Sequence, residues 1–369
     1  MEEDVKSQLL NWRILSKNRN MLFGVAILLV MLLHTQGYAG ISSWPGFKKS
    51  SILSVFNEVI SRSTVGVDMF LFLSGIGLYY SFSKCSDLKI FYWKRLKRVL
   101  IPYLIIGTGY WILRDLLFSN DSAVFWKDLT WITYYTEGKS TYWYVNFILI
   151  MYLIYPLVYY MLESRYRNLN LVVLLVFTFG LMFVLYTNTP ELYSNIEKSL
   201  GRMVAFFLGC YWGKLVKSGK RMSDMWLLYA FFIPWLGGIL QYLSKKDILA
   251  WKLTMRPWYG LLAIGICVLL SVIFSITDFG KIGKFLNLAG THSLELYLLH
   301  IAMKNMLKIW MPGYKEWGFI KSCLMYLIFV VIVPLLLGIF YQSVSRRVGK
   351  FLQNRVLRGR AQAADHAGK

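Results

Sequence analysis

The sequence predicts an all-α fold, a polytopic membrane bundle of about ten transmembrane helices, and three observations lead there. Of 369 residues, 57% are hydrophobic and only 16% charged, where soluble domains carry roughly a quarter charged residues. The apolar residues come in runs of about 20, the length that crosses about 30 Å of hydrocarbon. The 41 Lys and Arg, set against 19 Asp and Glu, gather between alternate runs, as in membrane proteins whose cytoplasmic loops are basic. Such a composition excludes an ordinary soluble domain. A formal charge of +22 placed in this way belongs to membrane topology and gives no reason to expect nucleic acid as a partner.

The elements follow in order. Residues 1–20 form an N-terminal segment whose amphipathic stretch LLNWRIL suits the cytoplasmic interface. The first run, 21–37, is apolar up to His34 and lacks a small-x-small cleavage site, so it reads as a retained span. The second, 64–82, opens near Asp68 and contains LSGIG, small residues that let helices approach. The third, 99–118, follows the basic string KIFYWKRLKR. The fourth, 142–162, opens on TYWYVNF, whose Tyr142, Trp143 and Tyr144 suit an aromatic belt at the outer interface. The fifth, 169–187, is uniformly apolar.

The sixth run, 199–216, is interrupted by Arg202, Gly209 and Gly213, and the ninth, 292–311, holds His292, Glu295, His300, Lys304 and Lys308. A charge facing lipid costs at least about 2.5–3.5 kcal/mol, so these two require buried faces. The seventh, eighth and tenth runs, 225–243, 257–275 and 319–341, are apolar, and the tail from 342 to 369 is basic and then polar. Residues 21–341 therefore read as one integral domain. The segments assigned to the inside carry more than twice the Lys and Arg of those outside, which predicts both termini on the cytoplasmic side of a cell membrane. Cys85, Cys210, Cys267 and Cys323 show no CxxC spacing, so neither a disulfide framework nor a metal site is expected.

Several residues can carry chemistry. His34 ends an otherwise apolar string, and it either donates to a backbone carbonyl to hold two helices together or acts as a general base near neutral pH. Asp68 is expected at a similar depth, as an orienter of that imidazole or as an N-terminal helix charge. The run Lys89 to Arg98 reads either as positive-inside charge or as a cytoplasmic site for a polyanion, since Arg forks match phosphate geometry. Trp143 has a ring suited to a sugar face. Arg202 is placed to neutralise Glu295 inside the bundle. Glu295 and His292 share a helix face while His300 points elsewhere, so no metal site is inferred from them.

Together, FGVAILLVMLLH, GVDMFLFLSGIGLYYSF, KRLKRVLIPYLI, WYVNFILIMYLIYPL and SLELYLLH, in that order, resemble the membrane acyltransferase-3 family over roughly residues 19 to 340. The resemblance implies transfer of an acyl group, most often acetyl from acetyl-CoA on the cytoplasmic side, to hydroxyls of cell-envelope polysaccharides or lipid-linked saccharides. By the same resemblance His34 matches the family's essential His, with Asp68, Ser74 and Gly75 in the following segment. Arg95, Arg98 and Pro102 match the basic run, and Ser293, Tyr297 and His300 match the late pattern. Where many members carry an Arg eleven residues before the His, this chain has Phe23. Arg19, about one turn earlier, is the nearest replacement. The implied site is then His34 with Asp68 for catalysis, Arg95, Arg98 and Arg19 for acetyl-CoA, and Trp143, Arg202, Glu295 and His300 for the acceptor. A transporter or flippase for an anionic or lipid-linked solute is the alternative, and repeated halves and broken helices would favour it.

Overall fold

The computed structural model describes residues 11–35, 60–245 and 251–313, together with most of 324–338. Among them the regular structure is helical apart from one isolated bridge between Asn11 and Arg221. The long elements are α1 (Arg19–Thr35), α2 (Val65–Phe82) and α3 (Leu88–Phe118), followed by the short α4 (Ser122–Leu129) and α5 (Ile132–Glu137). Next come α6 (Trp143–Glu163), α7 (Arg167–Asn188), α8 (Pro190–Leu200) and α9 (Met203–Ser218). The last named helices are α10 (Asp224–Lys245), α11 (Trp251–Ile276), α12 (Gly280–Thr291) and α13 (Ser293–Trp310).

Five helices are long and apolar enough to cross a bilayer: α2 counted from Ile60, α3, α6, α7, and α11 from Arg256. Arg19–His34, Met225–Leu240 and Leu327–Gly338 are apolar but shorter. Helix α9, with 16 residues, is too short for that count, and α13, which carries Glu295, Lys304 and Lys308, is too polar. Their burial explains how they are tolerated, since α9 is enclosed from Met203 to Cys210 and α13 from Glu295 to Ala302. Helix α7 does the opposite, exposing Leu169, Val172, Val176, Phe177 and Phe183 along one face, as a lipid-facing helix should.

Small residues set the tightest packing. A Cβ on Gly75 of α2 would lie 2.6 Å from the Cys210 nitrogen and 2.7 Å from the Phe206 carbonyl oxygen. Gly209, facing it on α9, abuts the Phe72 carbonyl in the same way. The LSGIG string therefore works as expected: without side chains at Gly75 and Gly209 the two backbones touch. The described part of the N-terminal amphipathic stretch packs on protein. Trp12, Ile14 and Leu15 are buried, and the Trp12 ring meets those of Trp212 and Trp226 at 6.5 and 5.4 Å.

Helix α3 widens into π-helical turns at Tyr103–Gly107, directly after Pro102, and again at Ile112–Phe118. Proline cannot donate a backbone hydrogen bond, and the ladder relaxes around the gap. The wide turns aim Tyr103, Tyr110 and Trp111 at the fully buried Tyr142, each ring 5.7 Å from it and edge-on. Tyr142 itself holds φ at 43°, in the left-handed region, and starts α6 there. At the far end of α3, Arg114 bridges Asp115 and Asp128, and Thr133 donates to Asp128, so α4 and α5 are tied down beside α6.

Candidate active site

Helices α1, α2, α6 and α13 meet along two cavities. The first lies toward the start of α1 and is lined by Arg19, Arg95, Arg98, Tyr144, Tyr152 and Ser293. The three arginines predicted to act together thus converge, although they come from α1 and α3. Arg19 stacks its guanidinium over Phe23, 4.5 Å from the ring centroid. Phe23 is therefore the platform on which Arg19 rests, a cation held over a ring face.

The second cavity lies toward the end of α1 and is lined by His34, Trp143, Lys198, Arg202, Arg256 and Lys304, among others. Val30, Val67 and Tyr297 line both cavities and form the partition between them. From Arg19 to His34 the helix advances fifteen residues, about 22 Å at 1.5 Å per residue. A ligand anchored at the arginines needs an arm of that length to reach the imidazole.

His34 and His300 face each other, with Nδ1 of His34 3.1 Å from Nε2 of His300. On its other side, Nδ1 of His300 lies 2.8 Å from the Leu296 carbonyl oxygen. A carbonyl only accepts, so His300 Nδ1 carries the proton and, in the neutral ring, its Nε2 accepts. His34 Nδ1 must then donate, which leaves the lone pair of the neutral His34 ring on Nε2. The tautomer follows from the hydrogen-bond chain alone. The result is a base whose orientation and proton are both fixed by a second imidazole.

Asp68 occupies the fourth position of α2 and is fully buried. Its Oδ2 is 3.4 Å from Nε of Arg202, whose side chain is 3% exposed. Arg202 also donates to the Lys198 carbonyl at 2.8 Å and to Thr64 Oγ1 at 2.7 Å, and its guanidinium lies 5.2 Å from the Trp143 ring. Arg202 was expected beside Glu295; it faces Asp68, because α2 and α9 are drawn together at Gly75 and Gly209. Asp68 was expected beside His34; its ion-pair partner is Arg202, while the imidazole turns to His300. Glu295 is buried in the first turn of α13. The aromatic belt expected at 142–144 is turned inward: Tyr142 is buried among other rings, Trp143 lines the His34 cavity and Tyr144 lines the arginine cavity.

The sequence matches the acyltransferase domain family over residues 22–341. The chain belongs to the acyltransferase-3 family. Neither the curated proteins nor the solved structures contain a match. Membership in the acyltransferase-3 family and the apolar helices together make this a multi-pass membrane acyltransferase. Among the described residues no group of three His, Cys, Asp or Glu is disposed to hold a metal ion. Sequence reasoning missed the imidazole pair and the parts played by Lys198, Arg256 and Lys304. One signal for the pair was present: a face of α13 holding His300 away from Glu295 and His292 is the face turned to α1.

Proposed function

We propose that this acyltransferase moves an acetyl group from acetyl-CoA, held at the arginine cavity, to a hydroxyl of a cell-envelope or lipid-linked saccharide entering the His34 cavity. The observation that carries the reading is the chain His34–His300–Leu296 carbonyl beside the partition between the cavities. Arg19, Arg95 and Arg98 bind the phosphates of the donor, and the acyl arm runs along α1 toward Val30 and Tyr297. Nε2 of His34 takes the proton of the acceptor hydroxyl as its oxygen attacks the thioester carbonyl. A carbon–oxygen bond forms, the carbon–sulfur bond breaks, and the departing thiolate receives the proton. His300 keeps His34 in the tautomer that can do this, and Asp68 acts through Arg202, whose position it stabilises. With both termini cytoplasmic, the arginine cavity faces the compartment that holds acetyl-CoA.

Support comes from the length of α1 between the two groups and from the placement of all three arginines on one cavity. The test is calorimetric titration of acetyl-CoA and of its analogue lacking the 3′-phosphate into wild type and Arg95→Ala/Arg98→Ala. Saturable binding weakened by both changes is expected. Folded protein that ignores millimolar acetyl-CoA would remove the donor site and favour a transporter.

A further inference from the structure

The His34 cavity holds more positive charge than its chemistry requires. Lys198, Arg202, Arg256 and Lys304 line it, and no Asp or Glu does among the described residues. Two of the four meet carboxylates behind the wall: Asp68 Oδ2 lies 3.4 Å from Nε of Arg202, and Glu197 Oε1 lies 3.9 Å from Nη2 of Arg256. Two anchors, the Lys198 carbonyl and Thr64, fix Arg202 before any ligand arrives. Burying several cations in a membrane-embedded bundle is costly unless an anion offsets them. Deprotonating a hydroxyl at His34 uses none of the four.

The neutral part of the wall has a different character. Ser140, Thr141 and Asn305 offer hydroxyls and an amide, and Trp143 offers a ring. Those are groups suited to a sugar, the ring for an apolar face and the others for hydroxyls. A neutral sugar would satisfy them and make no use of the positive charge around them.

We propose that the acceptor is an anionic saccharide, whose carboxylate or phosphate is held by Lys198, Arg202, Arg256 and Lys304 while one of its hydroxyls is presented to His34. This deepens the acyl-transfer reading and rests on it for the hydroxyl, but the anion site stands on the cavity alone.

The experiment titrates glucose, glucuronate and glucose 6-phosphate by calorimetry into the detergent-purified full chain. Four proteins are compared: wild type, Arg95→Gln/Arg98→Gln, Lys198→Gln/Lys304→Gln and Lys198→Arg/Lys304→Arg. One or both charged sugars should bind wild type at least tenfold more tightly than glucose (on the order of 1.4 kcal/mol). The preference should survive Arg95→Gln/Arg98→Gln, fall to about twofold or less in Lys198→Gln/Lys304→Gln, and return with the arginine pair. Preference for glucuronate alone identifies a carboxylate as the recognised group, and for glucose 6-phosphate alone a phosphate. Glucose binding as tightly as both, no binding of any sugar, or a preference lost with Arg95 and Arg98 overturns the proposal. Should the double lysine variant fail to fold, Lys198→Gln alone, on the half-buried α8, serves with a threefold or greater loss expected and an unchanged preference refuting. An acetyl-CoA titration of the same samples separates the two readings. Charged-sugar binding without acetyl-CoA binding defeats acyl transfer and leaves the anion site standing, and the reverse defeats the anion site alone.

Discussion

Replacing His300 by Ala removes the acceptor for the His34 Nδ1 proton, a bond of 3.1 Å at a position where His300 is fully buried. A buried donor left without its partner costs about 1–3 kcal/mol. At about 1.4 kcal/mol per factor of ten, acetyl transfer should fall roughly 5- to 150-fold. His34→Ala removes the base itself and should cost about 10²–10⁴-fold. His300→Gln places a carbonyl oxygen near the lost Nε2 and should recover most of the rate. The assay is radioactive acetyl transfer from acetyl-CoA into the saccharide fraction of membranes, normalised to monodisperse protein by fluorescence-detected chromatography. The double variant His34→Ala/His300→Ala should be no slower than His34→Ala, because His300 acts only through His34. Full activity in folded His300→Ala, or a double variant slower by the product of the single losses, would refute the imidazole chain.

Three other outcomes are expected. Asp68→Asn leaves the Arg202 charge buried without its carboxylate and should destabilise the fold by about 3–5 kcal/mol, seen as a lowered unfolding midpoint, with Asp68→Asn/Arg202→Gln recovering part of it. Gly75→Ala drives a methyl into the α9 backbone at 2.6 Å and should abolish monodisperse protein, whereas Gly180→Ala, with nothing within 4 Å, should leave it unchanged or slightly better. Burial, with Arg256 and Arg202 adding to it and Glu197 opposing, holds the Lys198 amine below the ordinary lysine range. Anions prefer the protonated amine, so charged-sugar affinity should weaken as pH rises through that lowered value, starting below the usual lysine value of about 10.4. Lys304, Arg202, Arg256 and His34 share the cavity with it, and Lys198→Arg should flatten the profile.

The helical character of the chain was legible in its long apolar runs, but of the ten expected spans five are long and apolar enough among the described residues to cross a bilayer. Arg95 and Arg98 were legible together because they lie on one basic run, and Arg19 only as the nearest cation to Phe23, where the resemblance expects an Arg. The polar character of α9 and α13 announced their burial before any contact was known. Partners distant in sequence were not legible. His34 and His300 are 266 positions apart, and Asp68 meets Arg202 only because two glycines elsewhere bring α2 and α9 together. Periodicity reports which face of a helix is apolar and says nothing about which neighbour covers it. The aromatic cluster at 142–144 misled for a related reason: Tyr and Trp gather at membrane interfaces on average, but here Tyr142 packs among the rings of α3 while Trp143 and Tyr144 turn into the two cavities. Spans of marginal length, such as α1, are likewise recognisable as helices while falling short of the length and hydropathy that define a crossing.

The partition formed by Val30, Val67 and Tyr297 has an electrical meaning. A bilayer spreads its potential over about 30 Å of hydrocarbon, whereas two cavities reaching toward each other concentrate it across a few side chains. Moving a unit charge through the full potential takes about 2.3 kcal/mol per 100 mV. Coenzyme A, with several negative charges, would meet that work in full. In the proposed reaction the polyanion stays at the arginines, and only a neutral acyl group passes the tyrosine and the two valines. The step that links the two sides of the membrane then moves no net charge, and its rate should be the same in energised and de-energised membranes.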